Sequence, residues 1–279
     1  MKLSIWTSYY IDLSPEEAIL EIEKNGYAYT ELSDEHAAIL LARGDAKTVG
    51  AEFKRFADAH HVSIPQGHLY LKVALCSEKE NSVEILKNWL DLFEAIGIEN
   101  AVLHCDRMKE QPEMGMDEIR QRNRAVLQQL VQYLEGKNIT ICLENLRDMI
   151  TDVEDKSPRS VEDLLWYIEE LGSEHLGICL DTGHLNLSKA SSQAYFIEKA
   201  GKHLKALHIA DNQGQTDQHL MPFGIGDVDM KEVMKALKKI GYQNLYNFEI
   251  PGERKCPLAI RGYKLQYIRQ CMEYMEQNI

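Results

Sequence analysis

The sequence predicts a closed (β/α)8 barrel made as one domain over residues 1–279, and three observations predict it. Eight short apolar runs recur along the chain, segments of helical period separate them, and the longest polar stretches each follow a run. Apolar runs of four to six residues bounded by turn residues read as strands buried on both faces, which is the mark of a parallel sheet. No Pro/Gly-rich linker, low-complexity tract or shift in composition marks a domain boundary. An open doubly wound sheet is the alternative arrangement of the same elements.

The expected strands are Leu3 to Thr7, Ala28 to Leu32, Ser63 to His68, Ala101 to Cys105, Thr140 to Glu144, Gly177 to Asp181, Ala206 to Ile209 and Tyr246 to Ile250. The first helix is announced by Ser14-Pro15-Glu16-Glu17, a capping hydroxyl with a first-turn proline and a glutamate three residues on. Its Ala18, Ile19, Ile22 stripe stops at Asn25-Gly26. Further helices are expected over Val49 to His60, Ser82 to Ile96, Asp117 to Glu135, Val161 to Leu171 and Ser192 to Gly201. Asp229 caps another, in which Val233, Met234, Leu237 and Ile240 share a face and Gly241 ends the run. The longest irregular stretches are Asp106 to Gly115, Arg147 to Pro158, Asp211 to Val228 and Pro251 to Gly262. In a barrel they gather at the C-terminal mouth, where active sites of this fold lie.

With 31 basic against 44 acidic residues the formal charge is −13, which disfavours broad electrostatic capture of a polyphosphate backbone. Small substrates suit the chain better, and nucleic acid is not the expected partner. No segment approaches the roughly 20 apolar residues that a membrane helix needs, and Met1-Lys2 runs directly into the first strand without a secretory leader, so a cytoplasmic location is expected. The six cysteines, at positions 76, 105, 142, 179, 256 and 271, show no C-x-x-C spacing and are expected as reduced thiols. Cys105, beside His104 at a strand end, is expected to pack in the core. Homo-oligomerisation is compatible with such a barrel, and no stretch marks an interface.

Chemistry is carried by strand ends. Ile141-Cys142-Leu143-Glu144, Ile178-Cys179-Leu180-Asp181, Ala206-Leu207-His208 and Asn247-Phe248-Glu249 each end an apolar run on a metal-binding or acid/base side chain. A carboxylate or imidazole there is costly unless paired or metal-bound. His68 and His104 end the third and fourth strands, Glu31 closes the second, and His184, Asp217 and His219 follow later. A mixed imidazole and carboxylate set suits Zn²⁺, Mn²⁺ or Co²⁺ better than Mg²⁺. Glu144 and Glu249 come from strands three apart in a ring of eight and would flank a substrate held at the metal. One would remove a proton next to a polarised carbonyl and the other return one, which is isomerisation or epimerisation through an enediolate. Trp6 and Tyr70 are candidates for stacking on a sugar face or for core packing, and Arg147 for an anionic substrate group or a solvated loop charge. His36, His60, His61, His175 and His203 read as surface or packing residues.

Ile141-Cys142-Leu143-Glu144-Asn145, Leu180-Asp181-Thr182-Gly183-His184, His208-Ile209-Ala210-Asp211-Asn212, Asp217-Gln218-His219-Leu220 and Gly224-Ile225-Gly226-Asp227-Val228-Asp229 resemble the xylose-isomerase-like barrel superfamily over nearly the whole chain. That superfamily includes sugar isomerases and epimerases and the endonuclease IV group. The resemblance implies that Glu144, Asp181, His208 and Glu249 bind one divalent metal, that the two glutamates double as acid/base residues, and that His184 contacts substrate oxygens. It implies a small carbohydrate as substrate, with His68, His104, His184, Asp217 and His219 serving either substrate hydroxyls or additional metal. In the endonuclease IV group the positions matching His68, His104, Glu144, Asp181, His184, His208, Asp217, His219 and Glu249 hold up to three zinc ions that cut a phosphodiester at abasic DNA. All nine are present here, which makes that chemistry the alternative, beside a metal-dependent dehydratase or lyase. Against it, Gly214-Gln215-Thr216-Asp217-Gln218-His219 lacks the arginines of the endonuclease pattern, and Asp106 to Gly115 and Arg147 to Pro158 are too acidic or mixed for loops that insert into a duplex, which use basic residues and wedges.

Overall fold

The computed structural model describes residues 1–76, 81–105, 114–147 and 158–279. The expected loops Asp106 to Gly115 and Arg147 to Pro158 fall mostly outside the described residues. Eight parallel strands form one sheet: β1 Lys2–Trp6, β2 Tyr29–Leu32, β3 Ser63–His68, β4 Asn100–Leu103, β5 Thr140–Glu144, β6 Leu176–Asp181, β7 Leu204–His208 and β8 Leu245–Phe248. They pair in sequence from β1 to β7, while β8 pairs back onto β1. The remaining seam, between β7 and β8, is closed just past the strand ends. There the Ile209 N–H donates to the Asn247 carbonyl at 2.7 Å and the Glu249 N–H to the Ile209 carbonyl at 3.1 Å. The sheet is therefore a barrel, and the open doubly wound alternative is set aside.

The helices are α1 Pro15–Lys24, α2 Asp34–Leu41, α3 Ala46–Ala59, α4 Ser82–Ile96, α5 Met116–Tyr133, α6 Val161–Leu171, α7 Thr182–Ser188, α8 Gln193–Ala200, α9 Met230–Ile240 and α10 Leu258–Asn278. The Ser14 capping box and first-turn proline of α1 form as the sequence predicts, and Asp229 caps α9, which Gly241 ends in the left-handed region. Three helices were not expected. α2 and α7 are short and follow directly on strands: the cap of α7, Asp181, is the last residue of β6, and that of α2, Ser33, is the residue after β2. α10 begins inside the stretch expected to be irregular to Gly262. Its buried stripe of Arg261, Leu265, Ile268 and Met272 has the right period, but an arginine opens it. That arginine is matched by Asp12, bonded at 2.7 and 2.9 Å, and a Cβ on Gly262 would lie 1.8 Å from the Asn25 side chain. Both matches are long-range, which is why local periodicity did not expose the helix.

Side chains alternate across each strand. Those pointing outward, such as Ile141, Leu143, Ile178, Leu180 and Leu207, join the main core beneath the helices. Those pointing inward divide the barrel interior. Val102, Cys142, Cys179 and Ala206 form a small apolar cluster on the β4 to β7 side, while Ser4, Glu31, Gln66 and Asn247, all buried, fill the opposite side. The cysteines are free thiols, and Cys105 is buried in the main core as expected. Among the described residues no helix is long and apolar enough to cross a membrane.

Candidate metal and acid/base site

The C-terminal ends of β3 to β8 bring the expected side chains together at one mouth. Parallel pairing sets Asp181 beside His208 and Glu144 beside Cys179, two residues before Asp181, so three neighbouring strands deliver ligand-type groups to the same mouth. Glu249 enters one residue past β8, carried by the seam bond to Ile209. The result is a buried group of Glu144, Asp181, His208 and Glu249 whose donor atoms all lie within 4.8 Å of one another.

Asn145 and Asp181 set the local frame. The Asn145 side chain donates to the Asp181 carbonyl at 3.0 Å and accepts the Asp181 N–H at 2.8 Å, lacing the ends of β5 and β6. One Asp181 oxygen accepts the His184 N–H at 2.6 Å and so caps α7; the other has no hydrogen-bond partner although buried. His208 is bonded through Nε2 to Glu31 at 3.0 Å. Its Nδ1 lies 3.1 Å from Glu144 and 3.0 Å from Glu249 and is likewise without a well-formed hydrogen bond. A ring nitrogen and two carboxylates meeting at this distance need a cation or a proton between them.

The surrounding histidines share one construction. His68 Nδ1 meets the Leu69 carbonyl at 2.7 Å, His184 Nδ1 the Asn145 carbonyl at 3.0 Å and His219 Nδ1 the Glu249 carbonyl at 2.8 Å. A carbonyl accepts only, so each Nδ1 carries the proton and each Nε2 is left to face the mouth. His68 Nε2 points to Glu144 at 3.6 Å, while His184 and His219 Nε2 converge on Asp217 at 3.5 and 3.2 Å. His104 Nε2 bonds Glu144 at 3.0 Å. Two further groups of ligand-type atoms thus lie beside the first, His68 with Glu144 and His208, and His184 with Asp217 and His219. This buttressing of imidazoles by second partners is what metal sites use to orient their ligands.

The electrostatics follow from burial and neighbours. Burial alone would raise the Glu144 carboxyl, but His104 and His208 hold it well below the usual range. Glu249 likewise resists burial because His208 and His219 bring it down to about 2. Asp181 goes the other way: burial, with Glu144 and Glu249 close by, outweighs His184 and raises it. Burial works against a charged His184, yet Asp181 and Glu144 lift it above its ordinary value. In the metal-free protein, imidazolium protons thus balance the carboxylates where a cation would otherwise do so.

The loop from Asp211 to Val228 presents Asp217 and His219. Asp211 pairs with Leu220 across its neck, and one Asp211 oxygen accepts the N–H groups of Asn212 and Val228 at 2.8 and 2.9 Å. A Cβ on Gly226 would fall 2.1 Å from that carboxylate, so only glycine fits. His219 itself has φ 45, a conformation non-glycine residues seldom adopt.

The weaker expectations divide. Arg147 reaches the mouth and pairs with Asp217, so it is not a free loop charge. Trp6 bonds the Ile250 carbonyl at 2.9 Å beside β8. Tyr70 stacks on Trp89 with ring centroids 5.2 Å apart, which commits one ring face to packing. His36 is buried and bonds the Leu13 carbonyl at 3.2 Å, a packing role. Sequence reasoning gave no part to Gln66, Asn145, Asn247 or Asn212. Gln66 and Asn247 stand two residues before His68 and Glu249, and that period-two offset was the available signal.

The family described as Xylose isomerase-like TIM barrel matches residues 19–277. The chain belongs to that family. The chain is 29% identical over 183 residues to an uncharacterized protein of Sinorhizobium fredii, covering 63% of this chain and 55% of that protein. It is 35% identical over 82 residues to a D-psicose 3-epimerase of Enterocloster bolteae, 29% of this chain and 25% of the other. It is 27% identical over 145 residues to a probable endonuclease 4 of Mycoplasmopsis pulmonis, 47% and 50% of the two chains. The chain spans about half the length of the first of these relatives. The crystal structure of D-psicose 3-epimerase with D-tagatose from Clostridium cellulolyticum superposes with a TM-score of 0.81 at 16% identity, covering 99% of both chains. At that identity the likeness is one of fold. The xylose-isomerase-like barrel read from the motifs is thereby established, and the buried His/Glu/Asp cluster is consistent with a divalent metal site.

Proposed function

We propose that this barrel is a divalent-metal-dependent isomerase or epimerase acting on a ketose or related polyol, with Glu144 and Glu249 as its acid/base pair. One observation carries the reading. Two carboxylates held in the low-pKa, ionised form converge on the same nitrogen, His208 Nδ1, from strands on different sides of the mouth. The unpartnered Asp181 oxygen and His208 Nδ1 fit a cation, and the oxygen-rich, one-imidazole set suits Mn²⁺, Co²⁺ or Zn²⁺. Bound by Glu144, Asp181, His208 and Glu249, such an ion would polarise a carbonyl and adjacent hydroxyl and so acidify the C–H between them.

The chain's own groups supply the remaining work. An ionised glutamate on one face of the substrate takes the proton from carbon; the glutamate on the other face, ionised at rest, picks up a proton from solvent and passes it to carbon, and the roles exchange in the reverse direction. His184, with Nδ1 tied to Asn145, offers Nε2 to a substrate oxygen, and His68 and His104, in edge contact with each other beside Glu144, are available to hydroxyl groups. Proton exchange tests the reading directly. Incubated in D₂O with Mn²⁺ or Co²⁺, a substrate ketose should acquire deuterium at the exchanging carbon, and no exchange across a broad ketose panel would overturn the proposal.

A second reading rests on the group of His184, Asp217 and His219: hydrolysis of a phosphodiester with up to three zinc ions. Arg147 favours the first reading, because it already balances the Asp217 charge. About three tightly bound zinc ions per chain, with incision of an abasic duplex, would favour the second. A dehydratase or lyase would use the same carboxylates, and its product would show loss of water.

A further inference from the structure

Glu31 is fully buried inside the barrel. Three groups converge on its carboxylate. The Gln66 amide donates to Oε2 at 2.8 Å, the Asn247 amide donates to the same oxygen, and His208 Nε2 lies 3.0 Å from Oε1. Neither amide can be turned round. Gln66 Nε2 also donates to the Leu207 carbonyl at 3.3 Å, so it must be the NH₂ end; a turned Asn247 would set its carbonyl oxygen against Glu31 Oε2, acceptor on acceptor, whereas as placed its Oδ1 accepts from the Ser4 hydroxyl at 2.8 Å. With both amides donating to Oε2, Oε1 is left for the ring, and an acceptor-only carboxylate there requires the proton on His208 Nε2. The opposite ring nitrogen, Nδ1, is the atom that faces Glu144 and Glu249.

We propose that Glu31 is a positioning residue that holds His208 in its Nε2–H tautomer, making Nδ1 the nitrogen that binds the cation. The inference rests on reading Glu144, Asp181, His208 and Glu249 as a cation site, and it adds an element that none of those four contributes. The network runs through β1, β8, β2 and β3 to reach β7, so five strands set one ring nitrogen. A carboxylate behind a metal-binding imidazole fixes the ring and raises its basicity. Glutamine in its place would do neither. To keep accepting from Gln66 and Asn247 it would turn its carbonyl toward them and its NH₂ toward Nε2, which would drive the His208 proton onto Nδ1, where the cation belongs.

The test uses the full-length chain with Zn²⁺, a diamagnetic probe. Long-range ¹H–¹⁵N spectra of the wild-type protein, with the His208 signals identified from His208→Asn, should show a proton on Nε2 and the zinc-dependent shift on Nδ1. Chelator competition should find zinc bound ~10–100-fold more weakly by Glu31→Gln, with far-ultraviolet circular dichroism unchanged. Zinc on Nε2 in the wild type overturns the inference. So does a Glu31→Gln protein with affinity within about threefold of wild type and an unchanged tautomer; if that variant does not fold, the wild-type spectra decide. Failure of the wild type to bind any divalent ion overturns this inference and the proposed function together. Zinc binding through Nδ1 without isotope exchange in any ketose overturns the proposed function alone.

Discussion

His208 is the residue on which the mouth is organised, because carboxylates approach both of its ring nitrogens. Glu144 and Glu249 share one of those nitrogens, and the proposed function gives them the proton transfers. Each glutamate replaced by glutamine should slow deuterium exchange by ~10²–10⁴-fold, the usual worth of a positioned acid or base, as followed by mass spectrometry of the sugar. The pH behaviour of the metal-free protein follows from His68. Burial opposes its charge, yet the hydrogen bond and charge of Glu144 raise it from 6.5 to about 9. A raised histidine adds stability that is complete below its unfolded value and lost as pH rises through the folded one. Urea unfolding of metal-free protein should therefore weaken from pH 6.5 to 9, and the weakening should diminish in His68→Gln. A cation entering the site displaces these protons. Calorimetric titration with Zn²⁺ at pH 7 in buffers of different ionisation enthalpy should accordingly report proton release, and constant apparent enthalpies would contradict it.

At the scale of elements, strands carry the ligands and loops aim them. The loop from Asp211 to Val228, which carries Asp217 and His219, is tied at its neck by the Asp211 carboxylate, packed on Gly226. Gly226→Ala should push that carboxylate aside, at a cost of about 1–3 kcal/mol as for other overpacked sites. Its signature would be loss of the His219 bond to the Glu249 carbonyl, visible as a changed His219 imidazole spectrum, while the barrel's circular dichroism stays the same. Much of this level was readable in advance. Ser14-Pro15 and Asp229 opened helices where their local chemistry said they would, since a cap is satisfied within three residues of itself. α10 was not readable, because its buried Arg261 is satisfied by Asp12 and its Gly262 by Asn25, both more than 230 residues away.

For the whole molecule, closing the sheet at the β7–β8 seam is what turns eight strand ends into one site. Any ligand that binds only the closed barrel stabilises it by mass action. With a divalent ion at a hundredfold excess over its dissociation constant the gain is ~2.7 kcal/mol, or a melting temperature raised by roughly 4–5 °C for a chain of this size. Thermal unfolding with and without EDTA measures it, and identical midpoints would count against a structural stake for the cation. The acidic balance of −13 agrees with a small-molecule substrate, since nothing in it supplies the long-range attraction a duplex binder uses.

The sequence by itself determined the alternation of eight strands with helices and, to within two residues, where the strands end, because apolar period and capping are satisfied between neighbours in the chain; closure into a barrel was decided at the β7–β8 seam. It also named the metal-type side chains, since an ionisable group ending an apolar run is conspicuous wherever the run is placed. Only the tertiary structure decided how they are used. Which nitrogen of His208 is free depends on Glu31, Gln66 and Asn247, and whether Arg147 is a loop charge depends on Asp217. Those are contacts between strands and loops far apart in sequence, made in a buried space where an unmatched polar atom is too costly to leave and each partner therefore dictates the next.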